Sequence, residues 1–298
     1  MARWMKRLGA AALVLVVLAA GAAFTGLQLA ERKMQRQVRV EVQPVAYAAG
    51  AAALDRGRYL YASRGCVDCH GADGGGRTFV EEGDSLRIRG PNISPAPGSA
   101  VAGYRPEDWV RAIRHGVAPG GRPLMVMPSE DYNRFTDADL AALVAYVRSL
   151  PPAQGGPAVV QLPLPARVLY GFGAIQDAAG KIDHALAPAQ PVPEGVNLAH
   201  GAYVANMCLG CHGPQLAGGR IPGGPPDWPA ASNLTPGEGS VMVRYAQADD
   251  LLRLFRTGKR PDGSAVRVMP FESLKAMSET DVRALHLYLR SVQPRPQG

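Results

Sequence analysis

Two short motifs of cysteine and histidine carry the chemistry that this sequence allows. Cys66, Cys69 and His70 form a C-x-x-C-H motif, which recurs once later in the chain. The second copy consists of Cys208, Cys211 and His212. Two thiols at this spacing can each bond one vinyl group of a porphyrin, and the histidine that follows can ligate its iron. Because the two motifs use all four cysteines, the sequence predicts two covalently bound haem c groups.

Other uses of four cysteines fit the spacing less well. A structural zinc site uses paired C-x-x-C knuckles that usually lie much closer together, and it needs no histidine after each pair. A thioredoxin-like redox motif belongs to a single βαβ unit, which the sequence lacks. Disulfide bonds are allowed in an exported chain, but they do not account for a histidine after both pairs. Haem attachment is the interpretation that uses every residue of both motifs.

Each predicted haem iron needs a second axial ligand besides its histidine. Met127 and Met269 each lie 57 residues after the motif histidine, and each precedes a proline. A methionine in a loop more often fills an apolar gap, but a matched spacing in two repeats favours ligation of the iron. The other candidate ligands do not keep one distance in both repeats. They are Met125, His115, Met242, Met277 and His286.

Residues 51–152 and 196–298 repeat the same landmarks in the same order, which indicates duplicated domains. Each segment has a short N-terminal helix, the cysteine motif, a loop with the methionine and a capped C-terminal helix. Gly57 is expected at a close crossing of the two terminal helices. The Pro- and Ala-rich segment 153–195 is interpreted as a connector, in which we expect His184 to be exposed to solvent.

The N-terminal segment has the composition of a membrane anchor. Residues 8–30 contain no charged side chain and are long enough to cross a bilayer as a helix. A cleaved signal peptide is the alternative, since residues 20–22 resemble a small-residue cleavage site. The apolar run continues past that point, which favours a retained anchor. We therefore expect residues 1–30 to be an anchor or signal segment and residues 31–50 to be a tether.

The net charge of +7 does not indicate a nucleic-acid partner. Residues 1–46 hold seven basic and two acidic side chains, so they account for +5 of it. The remaining chain carries only +2, and the carboxylates of two haems would offset this charge. We therefore expect no binding to nucleic acid.

Each half resembles a class I cytochrome c domain, and the whole chain is similar to membrane-anchored dihaem cytochromes c, such as the cytochrome subunits of bacterial periplasmic dehydrogenases. The resemblance implies a mainly α fold, with tandem cytochrome c-type haem domains behind an N-terminal transmembrane helix. It also implies that a backbone carbonyl of Gly90-Pro91 orients the His70 ring. In the second domain Ala231-Ser232 replaces Gly-Pro, which leaves the corresponding contact open. The loop residues implied near the histidines are Pro91, Asn92 and Asn233.

The function expected from these features is transfer of single electrons in an exported, membrane-tethered respiratory or dehydrogenase-linked chain. Two irons with both axial positions filled suit a carrier better than an enzyme. The expected donor is a dehydrogenase or a quinol-oxidising complex, and the expected acceptor is a soluble cytochrome or a terminal oxidase. The haem domains are expected in the periplasm, at the bacterial inner membrane. The alternative is a dihaem redox enzyme, peroxidase-like or oxidising a small periplasmic substrate, with one haem as its active site.

Overall fold

The computed structural model describes residues 2–225 and 227–298 and is mainly helical in these ranges. The α-helices are α1 Ala2–Met34, α2 Ala51–Ser63, α3 Cys66–His70, α4 Pro106–His115, α5 Asp137–Ser149, α6 Leu164–Gly171, α7 Ala178–Lys181, α8 Leu198–Ala205, α9 Leu209–His212, α10 Ala248–Thr257, α11 Phe271–Leu274 and α12 Glu279–Ser291. The strands are β1 Thr78–Glu82, β2 Leu86–Arg89 and β3 Val159–Gln161.

The helices of each half enclose a separate hydrophobic core. The buried residues of the first core lie between positions 60 and 147, and those of the second lie between positions 204 and 289. Residues 51–152 and 196–298 thus each contain one core. The observed mainly α architecture confirms the expected fold class.

The terminal helices of each half cross at a glycine. A Cβ atom on Gly57 of α2 would lie 2.0 Å from the Ala142 carbonyl oxygen of α5. A Cβ atom on Gly201 of α8 would lie 2.1 Å from the Ala284 carbonyl oxygen of α12. Such distances leave room only for hydrogen, so the predicted close crossing at Gly57 is confirmed and is repeated in the second half. The tyrosines beside the two glycines are Tyr146 and Tyr288.

The glycine-rich loop after the first motif and the connector form more regular structure than the sequence predicts. β1 and β2 form an antiparallel hairpin, and β3 of the connector pairs antiparallel with β2.

The expectation that His184 is exposed to solvent is wrong. Its Nδ1 lies 3.1 Å from Nδ1 of His115, because α7 brings the connector against the end of α4. The two histidines are 69 positions apart, so no local sequence pattern predicts their contact.

α1 is long and apolar enough to cross a membrane, and the described part of the chain leaves its apolar window uncovered. The helix continues beyond residue 30 to Met34, so the first residues of the predicted tether are helical. Its last turns, from Gly26 onwards, pack against α6.

The two halves meet through equivalent residues. The Tyr59 hydroxyl of α2 donates to Asp281 of α12 at 2.5 Å, and the Tyr203 hydroxyl of α8 donates to Asp139 of α5 at 2.7 Å. Each tyrosine lies two positions after the glycine of its helix crossing, and each aspartate lies at the third position of a C-terminal helix. The domains are therefore related by an approximate twofold arrangement. Arg64 adds a buried ion pair with Asp281 at 2.5 Å.

Candidate haem-binding sites

The first motif forms one short helix between two glycines. α3 begins after Gly65, at a φ of 88°, and ends before Gly71, at a φ of 74°. Both angles are in the region that glycine adopts without strain, so the chain turns sharply on each side of the motif. Within the helix the cysteines are three positions apart and thus share one face. In the second motif, a 3-10 turn that ends at Cys208 leads directly into α9, which carries the second cysteine and the histidine.

The two motif histidines are held in the same way. Nδ1 of His70 lies 2.9 Å from the Pro91 carbonyl oxygen, and Nδ1 of His212 lies 2.7 Å from the Ser232 carbonyl oxygen. A carbonyl oxygen only accepts, so Nδ1 carries the proton and the Nε2 lone pair is available for a metal. Burial lowers the pKa of both rings, which favours the neutral form that binds iron.

In the second domain, where Ala231-Ser232 replaces Gly-Pro, the acceptor for the His212 ring is a backbone atom, the Ser232 carbonyl oxygen. A carbonyl oxygen is present whatever side chain the residue carries, so serine replaces proline without loss of the acceptor. The side-chain hydrogen bonds of Asn92 and Asn233 go to residues other than the histidines. The Oδ1 atom of each accepts from the backbone and hydroxyl of the residue two positions later, and each Nδ2 donates to a carbonyl beyond the C-terminal helix. They therefore position the loops that supply the carbonyl groups.

All four cysteines are free thiols in the part of the chain that the structure describes. Burial raises the pKa values of Cys66, Cys69 and Cys208 to about 12, and that of Cys211 is raised for the same reason.

A cavity next to the second motif has the lining of a cofactor site. It has a volume of about 90 Å³ and is lined by Cys208, His212 and Met269 among mostly apolar side chains. Arg244 and Arg260 are the charged residues of the lining. Apolar walls with a few polar groups are typical of cofactor sites, and the two guanidinium groups suit the carboxylates of a haem.

The two methionine loops have the same backbone structure. Each follows a glycine in the left-handed region, Gly116 at a φ of 63° and Gly258 at 69°. The residue two positions after Met127 donates its backbone N–H to the Met127 carbonyl at 2.8 Å, and the equivalent bond to Met269 is 2.9 Å. Met127 packs against the first core and Met269 against the second.

Most of the other candidate ligands are engaged elsewhere. His115 contacts His184, and Nε2 of His286 lies 2.8 Å from the Tyr245 carbonyl oxygen. Met277 is fully buried in the second core. Met242, however, lines the same cavity as Met269, so position alone does not separate these two residues.

The structure also places near the first motif a tryptophan that the sequence analysis did not single out. Trp109 of α4 is buried in the same core as Met127 and Cys66. Its Nε1 atom is buried and has no hydrogen-bond partner among the described residues. A buried N–H without an acceptor is costly, so this donor fits a site that is completed by a cofactor with carboxylates.

The two sites are neighbours across the domain interface. The Gly210 backbone N–H of the second motif donates to Asp131 at 2.8 Å, and the Ser273 hydroxyl donates to Asp68 of the first motif at 2.5 Å. Asp131 and Ser273 each lie four positions after a candidate methionine. Each motif helix therefore contacts the turn that follows the methionine loop of the other domain. Burial raises the pKa of Asp131 to about 8.

Comparisons with known proteins agree with these features. Residues 52–147 match the family described as cytochrome C oxidase, cbb3-type, subunit III. The fructose dehydrogenase cytochrome subunit of Gluconobacter japonicus is 27% identical and aligns with 99% of this chain and 61% of its own length. The gluconate 2-dehydrogenase cytochrome c subunit of Pantoea cypripedii is 28% identical, over 82% of this chain and 60% of its own length.

A relative of matching length is the diheme cytochrome c-type protein of Cereibacter sphaeroides, which is 26% identical over 97% of this chain and 99% of its own length. The chain spans only about three fifths of the two dehydrogenase subunits. The motifs, the helical fold and these comparisons together show that the chain is similar to c-type cytochromes, among them the cytochrome subunits of dehydrogenases, and that it carries an N-terminal apolar helix.

Proposed function

We propose that the chain is a dihaem electron-transfer subunit that takes single electrons from a dehydrogenase or a quinol-oxidising complex and delivers them to a soluble cytochrome or a terminal oxidase. The observation that supports this function best is the duplicated arrangement. Each C-x-x-C-H motif has a histidine with its Nδ1 proton held by a carbonyl, and each domain has a methionine on a loop of the same backbone structure.

In this proposal the four cysteines would attach the two haems, and His70 with Met127 and His212 with Met269 would ligate the irons. A bound haem c supplies reversible one-electron chemistry. The chain's own residues would hold it in place: the Pro91 and Ser232 carbonyl groups fix the histidine rings, and the mostly apolar lining of the second site would exclude water. With two protein ligands at each iron, no position is left for a substrate, which disfavours the enzyme alternative.

The domain interface supports a relay within one chain. The contacts between Asp131 and Gly210, and between Ser273 and Asp68, join each motif helix to the methionine side of the other domain. The buried pair of Arg64 and Asp281 is an additional interdomain contact. A fixed mutual orientation of the domains is what transfer between two centres in one chain requires.

The names of the relatives suggest the donor. Those proteins are cytochrome subunits of fructose dehydrogenase and gluconate 2-dehydrogenase, so we propose a dehydrogenase as the donor of this chain. We further propose that α1 is retained as an anchor in the bacterial inner membrane and that both haem domains lie in the periplasm, where c-type haem is attached.

Substitution of each methionine with a matched control tests the proposed ligands. In the haem-loaded protein, we expect Met269→Ala to abolish the far-red ferric band of one haem and to lower that haem's reduction potential, because methionine ligation raises the potential. Met242→Ala, in the same cavity, is expected to keep both properties. Met127→Ala and its neighbour Met125→Ala form the corresponding pair in the first domain. If a control variant loses the band and the proposed ligand keeps it, the assignment is wrong.

A redox titration of the unsubstituted protein tests the function itself. We expect two haems per chain, both with the far-red band and neither binding added cyanide readily. One haem without the band that binds cyanide would support the enzyme alternative instead.

A further inference from the structure

α6 and the residue after it expose an apolar face outside both cores. Leu164, Leu169 and Phe172 are 56%, 47% and 54% exposed. Residues 161–176 contain a single charged side chain, that of Arg167, and no acidic one. Large apolar side chains clustered on a surface mark a binding site for a protein or a membrane.

This face is continuous with α1. A Cβ atom on Gly171 would lie 2.0 Å from the Gly26 carbonyl oxygen, so the backbones of the two helices are in direct contact. A Cβ atom on Gly26 would lie 2.8 Å from Val168 and 2.9 Å from the Phe172 ring. Small residues allow such a close approach between helices, as they do within membranes. The exposed Phe172 ring therefore lies beside α1 at Gly26.

The depth of this contact follows from the helix geometry. Gly26 lies four residues before the end of the uncharged stretch at Ala30. At a rise of about 1.5 Å per residue, it is about 6 Å inside that end. Helices that lie in a membrane interface bury their apolar face by about 5–10 Å. If α1 spans the membrane, α6 is at the depth of an interfacial helix.

The contacts on the other side of α6 are polar. Arg36, just after α1, binds both carboxylate oxygens of Asp177 at 2.7 Å, and the Tyr170 hydroxyl donates to the same carboxylate at 2.6 Å. Lys33 donates to the Tyr170 and Ile175 carbonyl oxygens. Burial alone would raise the pKa of Asp177, but the hydrogen bonds from Arg36 and Tyr170 outweigh it and lower the pKa. The segment is thus polar where it contacts Lys33 and Arg36 and apolar on its exposed face.

We propose that α6 is an interfacial helix that lies against the membrane-spanning α1 and inserts Leu164, Leu169 and Phe172 into the outer leaflet of the lipid bilayer. A lipid surface fits better than a protein partner, because the face continues the uncovered apolar surface of α1 and its single charge is basic, as phosphate headgroups favour. The contact would hold the connector at the membrane and fix the height of the haem domains above it. This inference rests on the proposed anchoring by α1.

Photochemical labelling by lipids tests the proposal on the full, haem-loaded chain. The protein is reconstituted into phosphatidylcholine and phosphatidylglycerol vesicles that contain a phospholipid with a diazirine in its acyl chain, and the adducts are located by mass spectrometry. We expect adducts on α1 and on residues 164–172. We expect none on α12, although Leu287 there is 40% exposed. Adducts on α1 alone would overturn the inference and leave the anchor intact, whereas adducts on neither would refute the anchoring as well.

A paired substitution separates the exposed face from the fold. Leu169→Ser with Phe172→Ser is expected to abolish the adducts on α6 while the adducts on α1 and the haem spectrum remain. Leu287→Ser is the control at an exposed leucine of the second domain and is expected to change nothing. Crosslinks from residues 164–172 to protein, in place of lipid adducts, would assign the face to a second copy or another subunit and would overturn the proposal.

Discussion

Removal of the Arg64 side chain should loosen the interface between the two halves of the chain. Its guanidinium group is buried and lies 2.5 Å from Asp281, whose side chain is fully buried. Asp281 also accepts from Tyr59 at 2.5 Å and contacts His200 at 2.7 Å. In an Arg64→Met variant the carboxylate keeps these two hydrogen bonds but loses its nearest permanent positive charge.

The size of the effect follows from the burial of both partners. Breaking a buried ion pair on one side costs about 3–5 kcal/mol, because the remaining charge is left uncompensated. We expect the lower end, about 3 kcal/mol, because Tyr59 and His200 still satisfy the Asp281 oxygens. A change of this size raises the population of the locally opened state by about 100-fold.

Hydrogen exchange followed by mass spectrometry measures this opening without requiring the whole chain to unfold in one step. Amide protection in α12 and α2 of the haem-loaded protein in detergent is expected to fall by about 100-fold in Arg64→Met. The matched control is Arg58→Met, which removes an exposed pair with Asp55, and such pairs contribute at most about 1 kcal/mol. If the amides of α12 are equally protected from exchange in the two variants, the buried pair does not stabilise the interface.

The pH dependence gives an independent check on the same pair. Burial would raise the pKa of Asp281, but the charge of Arg64 and the hydrogen bonds from Tyr59, Arg64 and His200 lower it from 3.8 to about 2. A lowered pKa in the folded state stabilises the protein above pH 3.8, and this contribution is lost as the pH falls towards 2. Without Arg64 the carboxylate takes up a proton at higher pH, so the loss of protection should shrink as the pH is lowered. A loss that does not change with pH would contradict this explanation.

Two further predictions concern packing and the connector. Gly201→Ala would place a Cβ atom 2.1 Å from the Ala284 carbonyl oxygen, so we expect the stability of the holoprotein to fall by about 1–3 kcal/mol in thermal unfolding. Gly120→Ala, with no atom within 4 Å of the added carbon, should be nearly neutral, and equal effects would refute the steric reasoning. Burial and the neighbouring His184 lower the pKa of His115 to about 4, so the stabilisation that depends on the neutral ring is complete above pH 6.5 and is lost as the pH falls towards 4. Exchange protection of α7 should therefore decrease over that range in the unsubstituted protein and not in His115→Gln, and a pH-independent protection in the unsubstituted protein would contradict the assignment.

The features that the sequence predicts best are those that depend on residues close together in the chain. The C-x-x-C-H motif spans five residues, and its spacing alone predicts the covalent attachment of haem. The C-terminal helices begin where the hydroxyl groups of Thr136 and Ser278 accept from the backbone N–H three positions later. The repeat adds information that a single copy lacks, since it distinguishes Met127 and Met269 from the unmatched candidates. The assignment of these two methionines as iron ligands remains a prediction.

The features that the sequence does not predict depend on contacts between distant residues or on backbone atoms. His184 meets His115 across 69 positions, and β3 of the connector joins a hairpin that precedes α4. The Ser232 carbonyl takes the place of the Pro91 carbonyl of the first domain, and a pattern of side chains does not predict where a carbonyl group lies. The buried Nε1 of Trp109 is likewise visible only once its surroundings are known.

The departure from twofold symmetry at the interface shows which domain depends on the other. Arg56 and His200 hold the same position, one residue before the glycine of the helix crossing, and each contacts the aspartate of its own domain. A guanidinium group keeps its charge at any physiological pH, whereas an imidazole is charged only when it is protonated. Asp139 therefore has a permanent positive partner within the first domain, but Asp281 obtains one only from Arg64 across the interface. Separation of the domains would leave Asp139 paired and Asp281 without a permanent charge, so the second domain relies on the first for its stability more than the first relies on the second.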